Sequence, residues 1–397
     1  MSFNKQLNKA LFPAIFTLFF MNLPVSAVLH KTSDTEPLIP VQVEHEGNQH
    51  VTTNSAADHT TSHDEEFNAA DVIMSHIKDA HEWHLYTTKD GRHVSVPLPI
   101  ILFSNHSGLN IFMSGKLAHG HNHHGFEYGS GKITVTNRKG EQAEKSVDGK
   151  IIEITGDGNQ MKVGIPLDFS VTKNVFMMFL AVMILLIVFL RLAASYKKRG
   201  VSSPKGMQGF LEPLIIFVEE NIAVPNLGEK HYARFMPYLL TVFFFILINN
   251  LMGLIPFFPF GANVTGNIAV TMVLATFTLV ITNLNSNKGY WRHIFATPGV
   301  PVWLLPIMIP VELIGVITKP FALMVRLFAN ITAGHIIILS LVSLIFIFKS
   351  VFMSVPSLVL VIFMDMVELL VAFLQAYIFT LLSALFIGLA MPEHHHD

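Results

Sequence analysis

Between Phe235 and Asn287 the chain carries no Asp, Glu, Lys, Arg or His. A membrane crossing needs roughly 20 mostly apolar residues, so this one stretch holds two crossings and the turn between them. Composition agrees, with 51% hydrophobic and 14% charged residues against about 25% charged in soluble proteins. The class is integral membrane protein. A formal net charge of −2 excludes a generally basic nucleic-acid binder, so no nucleic acid is expected as a partner. The chain has no cysteine, which removes disulfides and thiol chemistry.

The other segments arrange themselves around this stretch. Residues 1–27 read as a signal peptide: Lys5 and Lys9, then the short apolar core "ALFPAIFTLFF", then small residues ending at Ala27. Residues 28–84 are a polar, His-rich linker with a short helix in "AADVIMSHIKDAHEW". Residues 85–170 contain "RHVSVPLPIILF", "GLNIFM", "GKITVTN" and "KIIEITG", short strand-like runs parted by turn residues. They predict a small β-rich domain outside the cytoplasm.

A first mature span over Val175–Leu192 is followed by Lys197, Lys198 and Arg199. Positive flanks stay cytoplasmic, so this span runs from outside to inside, in agreement with the signal peptide. "MQGFLEPLIIFVEENIA" predicts an amphipathic helix along the cytoplasmic interface. Two spans follow, Met236–Pro256 and Val264–Leu284, then a basic loop with Lys288, Arg292 and His293. Pro301–Met391 reads as two long helices in a hairpin, and 392–397 as a cytoplasmic tail. The expected fold is an all-α polytopic membrane protein of residues 171–391 with five crossings, N-terminus out and C-terminus in.

Few ionisable residues occur in the last two helices: Glu312, Lys319, Arg326, His335, Asp365 and Glu368. A central arginine in a bilayer costs from about 2.5 to 17 kcal/mol, and it cannot shed its proton. It must meet an anion or water. At helical pitch Arg326 and Asn330 share a face, as do Glu368 and Gln375, while His335 points away from Arg326. In an antiparallel hairpin, residues at equal depth have numbers with a near-constant total. Arg326 with Gln375 gives 701, and His335 with Glu368 gives 703. One layer therefore holds a guanidinium and a neutral amide. A second, roughly 11 to 14 Å nearer the outside, holds an imidazole and a carboxylate, a pair able to pass protons near neutral pH.

"LMVRLFANITAGH" together with "MDMVELLVAFLQAYIF" resembles subunit a of the F-type ATP synthases. So do "PYLLTVFFFILINNLMGLIPF" and "GNIAVTM". The likeness covers about residues 170–391. It implies a proton-translocating stator subunit in a bacterial inner membrane, beside a rotating ring of c subunits and held by peripheral stalk b subunits within the ATP synthase complex. Arg326 matches the arginine that faces the ring carboxylates and separates two aqueous half-channels. Asn330 and Gln375 match its polar neighbours, and His335 and Glu368 the outer half-channel positions. Asp365, Asn249, Asn250, Glu312 and Lys319 are candidates for further channel lining. Some bacterial members carry the carboxylate first and the histidine second; this chain has the reverse order, as mitochondrial members do. Several bacterial members have an acid after "NLM", where this chain has Gly253.

No GxxxxGK[ST] loop occurs, so the chain has no nucleotide site of its own of that kind, and no cofactor is expected. "HGHNHHG" (His119, His121, His123, His124), "HIKDAHEWH" (His76, His81, His84) and the tail His394–His396 lack diagnostic ligand spacing and read as solvated tracts. Two other functions fit parts of the sequence: a self-contained ion channel or ion-coupled transporter, and a His-rich membrane-anchored metal sensor. Co-purification with a ring and a catalytic head separates them from the first.

Overall fold

The computed structural model describes residues 73–74, 77–87, 93–104, 106–117, 121–129, 132–136, 142–147, 149–157, 160–199, 206–255, 257–295, 301–348 and 351–391. The expected signal peptide, the His-rich stretch as far as residue 72, His76, His119 and the tail 392–397 lie outside them. The chain divides into two compact units, one built mainly from residues 80–173 and the other from Asn174 onward.

The first unit holds ten strands in four small antiparallel sheets. Strands β1 (Glu82–Thr87) and β2 (His93–Pro97) pair with each other. Strands β3 (Pro99–Ser104) and β4 (Gly108–Met113) form a hairpin, and β10 (Leu167–Asp168) adds to the free side of β3. Strand β8 (Ile151–Asp157) lies between β5 (Phe126–Tyr128) and β9 (Gln160–Gly164), and β6 (Lys132–Thr136) pairs with β7 (Gln142–Ser146). The run read as one strand through "RHVSVPLPIILF" is two, divided at Leu98. Strand β1 starts at Glu82, inside the expected linker, because pairing with β2 buries Trp83. The core is Ile100, Leu102, Phe112, Leu117, Phe126 and Ile151. The β3–β4 turn is fastened from outside the hairpin: the hydroxyls of Ser104 and Ser107 both donate to the buried Glu153 carboxylate.

The second unit is helical. Helix α1 (Lys173–Arg199) ends in the basic cluster Lys197–Arg199. Helix α2 (Met207–Val218) runs through a five-residue π-helical stretch, Glu219–Ala223, directly into α3 (Val224–Gly253). The expected interfacial helix thus leads into the next span and is separated from it by a kink at which the helical backbone is broken. The kink falls at Gly228, whose φ of 71° is a conformation that residues with a Cβ avoid. Helix α4 (Ile268–Leu284) begins at Asn267, whose side chain accepts from the Ala269 N–H, a standard N-cap. A bend of 103° leads into α5 (Lys288–Phe295). The long helices α6 (Leu305–Phe348) and α7 (Val351–Ala390) complete the unit.

Among the described residues four helical segments are long and apolar enough to cross a membrane: Lys173–Lys198, Met207–Gly253, Leu305–Phe348 and Ser354–Ala390. A fifth crossing results if α4 and α5 count as one bent span. The chain is a multi-pass membrane protein. Helix α3 is its centre, with Met236, Leu239, Leu240, Phe243 and Ile246 fully buried. The Phe189 ring meets Phe244 at 5.1 Å between centroids, tying α1 to α3, and Phe243 meets Phe373 of α7 edge-on at 5.9 Å. Helix α7 packs on α3 and α6, and α4 on α6. Helices α6 and α7, by contrast, leave most of their surface uncovered by this chain.

Candidate functional site

The α6–α7 hairpin is antiparallel, and three contacts fix its register. The Ser357 hydroxyl donates to the Leu341 carbonyl at 2.6 Å, His335 meets Glu368, and Gly334 lies against the Glu368 side chain. His335 Nδ1 is 2.8 Å from Glu368 Oε1, with His335 partly buried and the carboxylate almost completely so. The distance is that of an ion pair, but the angles do not form a hydrogen bond, and both Glu368 oxygens lack a hydrogen-bond partner among the described residues. A buried carboxylate left this way is costly as an anion.

Two glycines shape the space around this pair. A Cβ on Gly334 would stand 2.9 Å from Glu368 Oε1, so only a glycine lets the carboxylate lie against α6 undisturbed. A Cβ on Gly253, at the end of α3, would stand 3.6 Å from His335 Nε2. The imidazole therefore turns Nδ1 toward Glu368 and Nε2 toward α3. With one nitrogen at each side it can accept a proton on one and release it from the other. Gly334 was not singled out from the sequence, although its number with that of Glu368 fits the hairpin register as well as the two polar pairs do.

Arg326 stands nine residues before His335, about 13 Å along the helix. It is exposed, as is Asn330 one turn on, while Leu323, Leu327 and Ile331 on the neighbouring stripe are buried. Among the described residues none forms a hydrogen bond or ion pair with Arg326. Gln375, expected in the same layer, is buried on α7, and among the described residues no hydrogen bond joins it to Arg326. Asp365 is exposed and Glu312 half-buried.

On the other side of Arg326, seven residues earlier, Lys319 holds its ammonium over the Phe386 ring at 5.9 Å. It borders a cavity of about 20 Å3 lined also by Thr278, Thr282, Asn283 and Tyr290. Thr282 Oγ1 and Asn283 Oδ1 are buried without partners. A space of this size, mainly apolar but bordered by these polar groups, has room for a water molecule.

Asn249 and Asn250 brace the helices. Asn250 Nδ2 donates to the Ala372 carbonyl of α7 at 3.1 Å, and the Thr265 hydroxyl donates to Asn250 Oδ1 at 2.6 Å. Asn249 Nδ2 donates back to Phe245 O, leaving its buried Oδ1 unpartnered. A second brace, unforeseen in the sequence, links Tyr238, Thr278 and Ser383 by hydroxyls at 2.8 and 3.2 Å. Its members are hydroxyls scattered through apolar runs, which carry no spacing signal. Among the described residues no three His, Cys, Asp or Glu side chains converge as metal ligands.

A family profile described as ATP synthase A chain matches residues 175–388, and another, a domain of unknown function (DUF8433), matches residues 72–169. Similar proteins include ATP synthase subunit a 2 of Chlorobaculum tepidum, 50% identical over 238 residues that cover 58% of this chain and 66% of that protein. ATP synthase subunit a of Chloroherpeton thalassium is 48% identical over 235 residues, covering 58% and 69%. That of Anaeromyxobacter sp. (strain Fw109-5) is 44% identical over 278 residues, covering 68% and 64%. The chain spans about two thirds of the length of these relatives.

Proposed function

Because the chain belongs to the ATP synthase A chain family, we propose that it is the proton-translocating stator subunit of an F-type ATP synthase in a bacterial inner membrane. The observation that carries this reading is Arg326, a guanidinium on the uncovered face of an apolar hairpin with no partner among the described residues of its own chain. A charge there is stable only against an anion from elsewhere. A carboxylate on a rotating c ring fits, since it ionises when it reaches the arginine and is neutral when it faces lipid.

Polar groups on both sides of Arg326 support two separate water routes. Toward the far end of α6 lie His335 and Glu368; toward its start lies the cavity beside Lys319. A proton arriving from outside loads the imidazole, moves to Glu368 or water, and reaches a ring carboxylate. After nearly a full turn it leaves by the second route. Arg326 blocks the direct path, because a fixed positive charge repels a free proton. Each proton that crosses with the field releases about 2.3 kcal/mol per 100 mV, and the block converts that into rotation. In this reading the N-terminal unit is extracytoplasmic, the C-terminus is cytoplasmic, and peripheral stalk b subunits hold the chain against the ring.

The test is to isolate the complex and measure ATP-driven proton pumping in vesicles. Arg326→Ala should leave the complex assembled and abolish pumping. Arg326→Lys should also fail, since a single mobile ammonium does not replace the planar fork. Wild-type pumping by Arg326→Ala, or a chain that conducts ions alone and copurifies with no ring, overturns the reading.

A further inference from the structure

The sheet β10-β3-β4 turns apolar side chains to both of its faces. Residues alternate between faces along a strand, and residues paired across strands share a face. Ile100, Leu102 and Phe112 point into the core of the unit. The pairs Ile101↔Ile111, Phe103↔Leu109 and Phe103↔Leu167 then define the opposite face, and Met113 with Pro99 extends it. Every side chain at these positions is apolar. Leu109 is 62% exposed, Ile111 65%, and Phe103 and Met113 45% each. An antiparallel sheet with one wet face normally turns polar residues to it. A contiguous apolar patch instead marks a surface that something covers.

The chain path limits what can cover it. Beyond β10 the backbone stays on the edge of β3: the Phe169 N–H donates to Ile101 O at 2.9 Å and the Val171 N–H to Pro99 O at 3.0 Å. Ile101 N–H is also held by the Ser170 hydroxyl. Helix α1, an apolar membrane span, starts two residues after Val171, at Lys173. The sheet is thus stitched to the strand that enters the bilayer, and β4 lies only two strand spacings away, about 10 Å. Along the chain, the patch is only a few residues and two strand spacings from the start of α1. It offers no charge and no hydrogen-bonding side chain, whereas protein interfaces carry about one hydrogen bond per 100–200 Å2.

We propose that this face, centred on Leu109 and Ile111, rests in the headgroup and upper acyl region of the same bilayer that α1 crosses. The unit would then be a membrane-surface domain with a second anchor, held flat instead of swinging on its tether. The inference rests on the sheet and its link to α1, not on the proton path, and it holds for either leaflet.

The lack of cysteine in the chain allows a direct test. Ile111→Cys, Leu109→Cys and, as a control on exposed polar surface, Lys150→Cys are introduced singly and labelled with an environment-sensitive nitrobenzoxadiazole dye. The full complex is placed in nanodiscs with and without lipids that carry a doxyl quencher near the headgroup. Labels at 111 and 109 should emit to the blue of the label at 150 and be quenched severalfold more by the doxyl lipids. Blue-shifted emission without lipid quenching means that protein covers the face, whether another subunit, a second copy or the chain before residue 73, and overturns the proposal. Red emission at both positions means that the face is wet, and also overturns it.

Discussion

Gly334→Ala tests the His335–Glu368 pair with one methyl group. The new Cβ would stand 2.9 Å from Glu368 Oε1, 3.1 Å from Cδ and 3.4 Å from Cγ. Comfortable contact begins near about 3.5 Å, so the carboxylate must recede by roughly half an ångström. The side chain is buried and has little room, so part of the movement becomes rotamer strain of about 0.5–1.5 kcal/mol. Against this, alanine is favoured over glycine inside a helix by about 1 kcal/mol. The two terms nearly cancel, and the complex should assemble with little loss of stability.

The pair itself does not escape. Its 2.8 Å approach, which a small turn of the imidazole would make a hydrogen bond, lengthens past the reach of about 2.6–3.2 Å that such a bond needs. If the strain of about 0.5–1.5 kcal/mol falls on the transfer step, proton uptake should slow severalfold, up to about tenfold. The matched control is Gly253→Ala, whose Cβ would meet His335 Nε2 at 3.6 Å and Ala262 O at 3.4 Å. These are ordinary contacts, and pumping should stay near wild type. The assay is ATP-driven acidification of inverted vesicles, normalised to the amount of assembled complex. If Gly334→Ala pumps like wild type, or if both variants lose activity equally, the close approach of Glu368 to α6 has no part in transport.

Three further outcomes follow from the same geometry. His335→Cys with Glu368→Cys should crosslink on mild oxidation, while Leu339→Cys with Glu368→Cys, one turn off, should not; the reverse pattern refutes the hairpin register. Asn250→Ala strands the Ala372 carbonyl and the Thr265 hydroxyl and should cost about 1–3 kcal/mol, seen as a lower melting temperature of the complex, with Asn249→Ala clearly milder because its amide bonds only within its own helix. In the N-terminal unit, burial pushes the Asp168 carboxyl up, but the His81 hydrogen bond and charge and the Ser170 contacts together hold it below its ordinary value. A depressed folded value stabilises above the unfolded pKa near about 3.9 and fades as the pH falls through the folded one. Amide exchange in β3 of the full chain should therefore speed up below about pH 4, and Asp168→Asn should flatten that dependence.

How far the sequence revealed these features depended on how local their causes are. A charge-free run fixes membrane helices by itself, because the solvent dictates them. The hairpin register was also readable, since two antiparallel helices joined by a short turn leave one free variable, and a single polar pair sets it. His335 and Glu368 meet for that reason. The break at Gly228 is signalled by Pro225 and Gly228 in "EENIAVPNLGEK", whereas nothing there marks the π-helical turn before it. Strand pairing was harder still: β10 joins β3 across most of the unit, and a two-residue strand has no period to detect.

The apolar second face of β3 and β4 was present in "PIILF" and "GLNIFM" all along. Alone, such runs look like strands buried on both sides. Only the fold, which covers one face and leaves the other open, turns them into a question about the surroundings. Arg326 poses the same question in the helical unit. In both places the chain carries a residue pattern that its own folding does not satisfy, apolar in one case and charged in the other. Such unmet requirements point outward, to the lipid on one side and to an ionised partner on the other. They are the places where a structure of one chain says most about what must stand beside it.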